Sequence, residues 1–445
     1  KRSSFTGPLI ILNGAELTLG NVTINGGSSK PQASATPKDY SSSTNIARYS
    51  TYANNSAKAP LIVIQNGGTL NIKDGTTLEY NSNKPNTKTT SNYYGSQTDF
   101  VENGYVGQGG AVYCSKGTIN MDGGIIQYCE AESGGGIYIE NGTFNLADGT
   151  IQYNYARNIL TPSQRRQVQY YRNAGGGVYV GDNTVMNMSG GTIAYNESSR
   201  EGGGISLGWL DRSEGAAIYE FITTFNMTGG TFKGNVATST GGALNITAGR
   251  QAFISAGYFL DNVANGKEYQ ETSSYSIPGS VYSGGAIYLD AQQEDSNGKY
   301  AGLPGYAVIN RVLITENTAT SDGGAIATCS TSKYSINASV DLSNGTLIYN
   351  NKKGTSKNEL YLSGSKVNMS DTYLGGGKYN WKTSGSIYYN DLTERGEKAI
   401  LVDRIADNPI CATMIRQNPI KNWDKITFPF RRLFSHNILI CGTAS

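Results

Sequence analysis

Short segments in which apolar and polar residues alternate recur along most of the chain. Residues 134–156 hold three of them, Ile137–Ile139, Phe144–Leu146 and Ile151–Tyr153, each bounded by Gly, Asn or Asp. This alternation, with turn residues on both sides, predicts short β-strands. No segment is long enough to fold alone, so each strand needs neighbouring copies of the same unit.

A Gly-Gly pair opens each copy of the unit, and the copies recur about every 25 to 43 residues. The pairs begin at Gly109, Gly134, Gly175, Gly202, Gly241, Gly284 and Gly323. A period in this range is typical of a solenoid. Three strands per period and no helical segment predict an all-β fold, a parallel β-helix with three strands per coil.

The alternation also assigns an inner and an outer face to each strand, because successive side chains of a strand point to opposite sides. In the first strand, Ile137 and Ile139 point inward and Tyr138 points outward. An Asn recurs where the third strand ends. We interpret this column as a structural ladder, because Asn tolerates the left-handed conformation of a corner and its amide bonds to the next Asn. The predicted ladder consists of Asn154, Asn196, Asn235, Asn262, Asn317 and Asn350.

The repeat divides the chain into three regions. Residues 1–108 hold opening coils with long polar loops, residues 109–394 hold the regular coils, and residues 395–445 form a C-terminal cap or boundary region. The last region has more charge, fewer Gly and several aromatic residues. Such a segment is expected where a solenoid ends, because the last coil would otherwise leave its strand edges open.

Long insertions interrupt the coils just before and just after the first strand, so loops should stand on both sides of one face. Outward residues on that face are aromatic or polar, as a glycan-binding groove requires. A Tyr ladder that only stabilises stacked strands, a Trp packed on the solenoid and a solvated basic loop are the open alternatives. The candidate ligand-binding residues are Tyr138, Tyr179, Tyr288, Trp209, Asp211, Arg212, Arg165, Arg166 and Tyr171.

Composition narrows the classes of partner and cofactor. The net charge of +2 argues against nucleic acid as a ligand, and no apolar run is long enough to predict a membrane span. Five Cys without a CxxC motif, and a single His, predict no metal site. A disulfide between Cys114 and Cys129 or between Cys411 and Cys441, and buried free thiols, are all open. No nucleotide or calcium motif appears, so we expect no cofactor.

An enzyme is the main functional alternative, because β-helices often carry enzymes that act on acidic polysaccharides. Such a site needs clustered carboxylates. The candidates near the loop-walled face are scattered, and no spacing repeats between coils: Asp211, Glu214, Asp290, Glu294 and Asp322. The sequence therefore favours a protein without catalytic residues, although β-helix active sites assembled across coils leave no linear motif.

Two tetrapeptides of the repeat resemble those of a known group. Segments such as Gly241–Leu244 and Gly284–Ile287 match the GGA(I/L/V) motif of the bacterial polymorphic outer-membrane adhesins, and Phe232–Asn235 and Phe259–Asn262 match their FxxN motif. The wider repeat is similar to that of large bacterial surface proteins, many from gut Firmicutes. The resemblance implies a right-handed parallel β-helix, export and a role in adhesion, and it implies no catalytic residues.

Together these observations predict a secreted or cell-surface, adhesin-like protein. The expected partner is an extracellular glycan or a host surface protein, with self-association as a further expectation. A polysaccharide lyase or glycoside hydrolase and a structural stalk or filament subunit are the alternatives.

Overall fold

A computed structural model describes the chain in segments, and every regular element in them is a β-strand. The described residues are 7–28, 32–33, 49–50, 59–83, 87–92, 95–100, 105, 107–157, 174–208, 223–265, 283–290, 292–293, 303–321, 323–329, 335–336, 338–343, 346–363, 366–374, 377–382, 386–391 and 400–405. No helix in these segments is long and apolar enough to cross a membrane.

The first strands of successive coils pair in parallel and in register into one sheet, which confirms the parallel β-helix. Ile62 lies beside Val112, so the opening coils and the regular coils share this sheet. The first strands are Ile10–Asn13, Ile62–Gln65, Val112–Ser115, Ile137–Glu140, Val178–Val180, Ile205–Leu207, Leu244–Ile246, Ile287–Leu289, Ile326–Thr328 and Leu360–Ser363.

The second and third strands form another parallel sheet, and in some coils a register shift is all that separates them. The second strands are Glu16–Leu19, Thr69–Ile72, Val185–Met188, Thr223–Met227, Arg250–Ile254, Tyr306–Asn310 and Ser339–Ser343. The third strands are Thr23–Asn25, Thr77–Glu79, Thr192–Ala194, Thr231–Lys233, Gly257–Leu260, Val312–Thr315 and Leu347–Tyr349. Strands that span both positions are Thr118–Gln127, Thr143–Gln152 and Lys366–Leu374.

Each regular coil has one element more than predicted, a two-residue strand directly after the Asn corner. This fourth strand pairs in parallel between coils and is a short addition to the three predicted strands. A strand of two residues is too short to show apolar–polar alternation, so the sequence does not reveal it. The fourth strands are Glu130–Ala131, Tyr155–Ala156, Glu197–Ser198, Val236–Ala237, Val263–Ala264, Thr318–Ala319 and Lys352–Lys353.

Antiparallel pairing appears near the C-terminal end and in short excursions. Leu360–Ser363 pairs with Ser386–Asp391, and Lys366–Leu374 pairs with Ile400–Ile405. Of the predicted cap at 395–445, only residues 400–405 are described. The remaining strands are Gly377–Lys382, Ser356–Lys357 and the pairs Gln32–Ala33 with Tyr49–Ser50, Thr87–Asn92 with Gly95–Phe100, and Gln292–Gln293 with Ser335–Ile336.

The Gly-Gly openings are required by close backbone packing within each coil and between coils. Gly134 has a φ of +62°, and a Cβ there would lie 2.2 Å from the Ile137 carbonyl oxygen. A Cβ on Gly135 would lie 2.4 Å from the carbonyl oxygen of Gly176 in the next coil. No side chain fits at either distance, so the pair marks the corner where each coil turns into its first strand.

The interior is one continuous apolar cluster of inward side chains, as the alternation predicts. Equivalent residues stack on each other between coils: Phe232 and Phe259 lie face to face, with ring centroids 4.8 Å apart. Cys114 and Cys129 are buried free thiols, so no disulfide joins them. Burial raises the pKa of each of these two thiols to about 12.

The predicted Asn ladder is present, with one member corrected. Each side-chain oxygen accepts from the backbone N–H and the amide Nδ2 of the Asn one coil earlier, at 2.8–3.1 Å. The last Asn of the ladder is Asn351, because Asn350 is the left-handed residue of that corner, with a φ of 57°. Throughout the column it is the residue before the ladder Asn that takes this conformation. The ladder runs through Asn154, Asn196, Asn235, Asn262, Asn317 and Asn351.

Candidate functional site

The face of the first strands, where the sequence places the ligand, carries a closed stack of tyrosines. The rings of Tyr113, Tyr138 and Tyr179 lie parallel, with centroids 5.5 and 4.7 Å apart, and Tyr105 and Ala174 pack against them. Tyr138 is 2% exposed and Tyr179 is 3% exposed. Stacking on a sugar needs an open ring face, and here the ring faces are covered by the neighbouring side chains of the stack. This burial favours the structural alternative for the Tyr column.

Two hydroxyl groups of this stack converge on one carboxylate. Tyr113 donates to Oε1 of Glu140 at 3.3 Å, and Tyr138 donates to Oε2 at 3.0 Å. Burial raises the pKa of Tyr113, and the negative charge of Glu140 raises it further. The three groups form a partly buried hydrogen-bond network, which links side chains of neighbouring coils.

Further along the same column the outward residues are also buried. Tyr288 is 1% exposed and packs with Ala327 and Tyr361. Asn245, fully buried, accepts from the Thr240 hydroxyl at 2.9 Å. The ring of Tyr288 therefore offers no open face to a ligand, for the same reason as Tyr138 and Tyr179.

The other predicted ligand-binding residues lie outside the described residues. They are Trp209, Asp211 and Arg212 after one first strand, and Arg165, Arg166 and Tyr171 before another. Of the carboxylates considered for catalysis, Asp290 is described and is 4% exposed, whereas Asp211, Glu214, Glu294 and Asp322 are not described. These loop residues stay predictions from the sequence.

The structure brings together a buried charged cluster that the sequence did not reveal. Glu130, Tyr155 and Glu197 occupy the same position in consecutive fourth strands. Glu130 is fully buried and forms an ion pair with Arg157. Burial raises the pKa of Tyr155, and Glu197 adds to this effect. The cluster forms because the two-residue fourth strands stack on each other. In the sequence, only the recurrence of two residues directly after each Asn corner could have indicated these strands and the cluster.

The second strands present an ordered column of amides on the outer surface. Each Asn donates through Nδ2 to Oδ1 of the Asn one coil earlier, at 2.8–2.9 Å. These side chains are half-buried, so one edge of each amide faces outward. We call this the outer Asn column, and its members are Asn71, Asn120, Asn145, Asn187 and Asn226.

Beyond Asn226 the column continues with an aromatic residue, which contacts a tyrosine of the next coil. Phe253 lies beside Asn226 in the register, is 38% exposed and meets Tyr306 edge to face, with centroids 6.0 Å apart. Tyr306 donates to Asp341 at 2.9 Å. Burial and the neighbouring Asp341 carboxylate raise the pKa of Tyr306 to about 12. Amide, ring and carboxylate groups therefore follow one another along a single outer surface.

The third strands carry a second polar column with an aromatic column beside it. Gln152 donates to Gln127, Gln127 donates to Glu79, and the side chain of Asn25 also donates to Glu79, at 3.0–3.1 Å. At the adjoining corner four half-buried tyrosines stack in parallel, with centroids 5.1–5.3 Å apart. This corner Tyr column consists of Tyr80, Tyr128, Tyr153 and Tyr195.

Within the described segments, no group of three or more His, Cys, Asp and Glu side chains is placed to hold a metal ion. Comparison with known proteins finds no family model, curated protein or solved structure that matches this chain. The outer surface of the second and third strands is therefore the candidate site, on its geometry alone.

Proposed function

We propose that this chain is a secreted or cell-surface, adhesin-like protein that binds extracellular glycans. The surface formed by the second and third strands holds the ligand, together with the loop residues predicted from the sequence. The observation that carries the proposal is the outer Asn column, an ordered row of amides on the same surface as the exposed Phe253 and several half-buried tyrosines.

The chemistry of the column suits sugar hydroxyl groups. An Asn amide has two N–H donors and two acceptor lone pairs, and the column uses one donor of each of Asn120, Asn145 and Asn187 for its neighbour. A second donor and a second lone pair are left for a ligand. Because a hydroxyl both donates and accepts, an amide edge pairs with it in either sense.

The regular spacing favours a polymer over a single sugar. Adjacent strands lie about 4.8 Å apart, so the amide edges recur at that interval along the solenoid. A chain molecule that contacts several of them gains affinity from each contact once the first is made. Single contacts at a half-exposed surface are weak, and a row of them is therefore needed for retention.

The test measures retention of the purified chain on a panel of immobilised polysaccharides and host glycans, and assays soluble products in parallel. The triple variant Asn120→Ala, Asn145→Ala, Asn187→Ala is expected to lose retention, because it removes three adjacent amides. The control is Tyr138→Phe, Tyr179→Phe, which removes buried hydroxyls and is expected to retain glycans like the natural chain.

Each other result has a definite meaning. Retention that survives the triple variant but is lost in Trp209→Ala, Arg212→Ala would move the site to the loops. Release of shorter or unsaturated sugars would favour the enzyme. If the natural chain binds none of the immobilised glycans, the proposal is contradicted, and the structural stalk or filament subunit becomes the favoured function.

A further inference from the structure

The outer Asn column has a fixed direction. At its first coil, Asn71 donates through Nδ2 to Oε1 of Glu16 at 2.7 Å and to the Thr18 hydroxyl at 3.2 Å. An ionised carboxylate only accepts hydrogen bonds, so Glu16 fixes which edge of the Asn71 amide carries the N–H groups. Each later Asn donates to the oxygen of the one before it, and the amides of the column therefore all point the same way.

The last oxygen of the column has no donor among the described residues. Asn226 donates to Oδ1 of Asn187 at 2.9 Å, and no group in the described segments donates to Oδ1 of Asn226. The next two positions of the column are Phe253 and Val308, whose side chains have no polar atom. Hydrogen-bonded amides polarise one another along a row, which strengthens this terminal oxygen as an acceptor.

An exposed ring occupies the position next to Asn226. Phe253 is 38% exposed, whereas every other aromatic ring of described exposure is half-buried or buried. Tyr306 of the following coil meets this ring edge to face, and its own hydroxyl is held by Asp341. Asn226 is itself half-buried at the surface. A hydrogen-bond acceptor and an apolar ring thus lie one strand spacing apart, about 4.8 Å.

A ligand that fits this pair has one donor next to an apolar group. A sugar hydroxyl supplies the donor without an apolar group of its own. The acetamido group of an N-acetylated sugar supplies both, because the N–H and the methyl group lie on the same edge of a trans amide. Its N–H also adds one more amide to the row, in which each hydrogen bond strengthens the next.

We propose that Asn226 and Phe253 form a subsite for the acetamido group of an N-acetylated hexosamine. The N–H of the ligand donates to Oδ1 of Asn226, and its methyl group packs against the ring of Phe253. This inference rests on the proposed function and names the class of sugar that the outer surface selects.

The probes are two soluble oligosaccharides that differ in one substituent of each sugar ring. Chitotetraose carries an acetamido group where cellotetraose carries a hydroxyl, and the linkage between the rings is the same. We expect the natural chain to bind chitotetraose about tenfold more tightly in calorimetric titration, because one hydrogen bond and one buried methyl group are added.

Phe253→Asn closes the subsite from within the protein. The new amide continues the column, donates to Oδ1 of Asn226 and removes the ring, so the preference for chitotetraose should disappear. Phe253→Tyr keeps a ring and should keep the preference. Leu260→Asn is the matched control, because it places the same amide on the same coil, at a half-buried position of the third strand. It should leave the preference unchanged.

The unfolding midpoint of each variant is measured alongside, which separates loss of folding from loss of binding. Equal affinity of the natural chain for the two oligosaccharides, or a preference that survives in Phe253→Asn, would overturn the subsite. An equal loss in Leu260→Asn would also overturn it, because an amide away from the column would then have the same effect. The proposed function survives these results if the natural chain is retained on immobilised glycans and the outer Asn triple variant is not. Failure of the natural chain to retain any glycan would overturn both.

Discussion

Glu359 closes the Asn ladder by accepting hydrogen bonds from Asn351. Its Oε1 accepts from the Asn351 backbone N–H at 3.1 Å, and its Oε2 accepts from Nδ2 at 2.5 Å. Both residues are fully buried. The carboxylate thus takes the place that the side-chain oxygen of a further Asn would occupy, and the ladder ends without an orphan donor.

Replacing Glu359 by Ala is therefore expected to destabilise the C-terminal coils. Two buried donors of Asn351 lose their partner, at a cost of about 1–3 kcal/mol each. Glu359→Gln keeps one carbonyl oxygen and should lose less than half as much. Chemical unfolding, with hydrogen exchange at the Asn351 amide, measures the difference. Equal losses in the two variants would contradict this expectation, because the oxygen that Glu359→Gln keeps would then contribute no stability.

Removing an amide from the inner ladder should cost far more than removing one from the outer surface. Asn235 accepts from Asn196 and donates to the carbonyl of Ile193, all within the buried corner. We expect Asn235→Ala to lower the free energy of unfolding by at least about 2 kcal/mol. The matched variant Asn226→Ala, in the half-exposed outer Asn column, should lose less than about 1 kcal/mol. Similar losses at both sites would show that burial does not decide the cost.

Cys129 occupies a ladder position, and Asn should serve better there. Its Sγ accepts from the Asn81 backbone N–H, and its own N–H donates to Asn154 at 3.0 Å. Cys129→Asn replaces a weak sulfur acceptor by an amide oxygen, so we expect a gain of about 0.5–1 kcal/mol in the free energy of unfolding. Cys129→Ala is the control and should lose stability. A loss in Cys129→Asn would show that the corner has adapted its packing to sulfur.

The chain should lose stability at alkaline pH. Burial raises the pKa of Cys114 and Cys129 from 9.0 to about 12, and burial with Asp341 raises that of Tyr306 from 10.0 to about 12. Between these values the unfolded chain has released protons that the folded chain keeps. Stability is therefore full below pH 9 and falls as the pH rises toward 12.

The denaturation midpoint measured from pH 7 to pH 11.5 tests this expectation. The double variant Cys114→Val, Cys129→Asn removes both thiols, so its decline should begin near pH 10, where tyrosines titrate, instead of pH 9. An unchanged onset in the double variant would assign the decline to other groups.

How much of the molecule was predictable depended on whether a feature repeats. The Gly-Gly corners, the inward apolar residues and most of the ladder follow from the repeat, because every coil meets the same neighbours. The ladder ending at Asn351 and not Asn350 did not follow, since two adjacent Asn fit the pattern equally. The burial of the Tyr138 and Tyr179 rings could not be predicted either. Alternation tells which side of a strand a residue faces, but not what packs on that side.

The Asn ladder makes whole coils interchangeable. Every coil that brings an Asn to this corner accepts from the coil before it and donates to the coil after it, so a duplicated or deleted coil leaves the same hydrogen bonds in place. Insertion of a single residue inside a coil shifts the corner and breaks the chain of bonds. A gene that encodes such a chain can therefore change its length in whole coils at little cost, and the reach of the outer surface changes in the same steps.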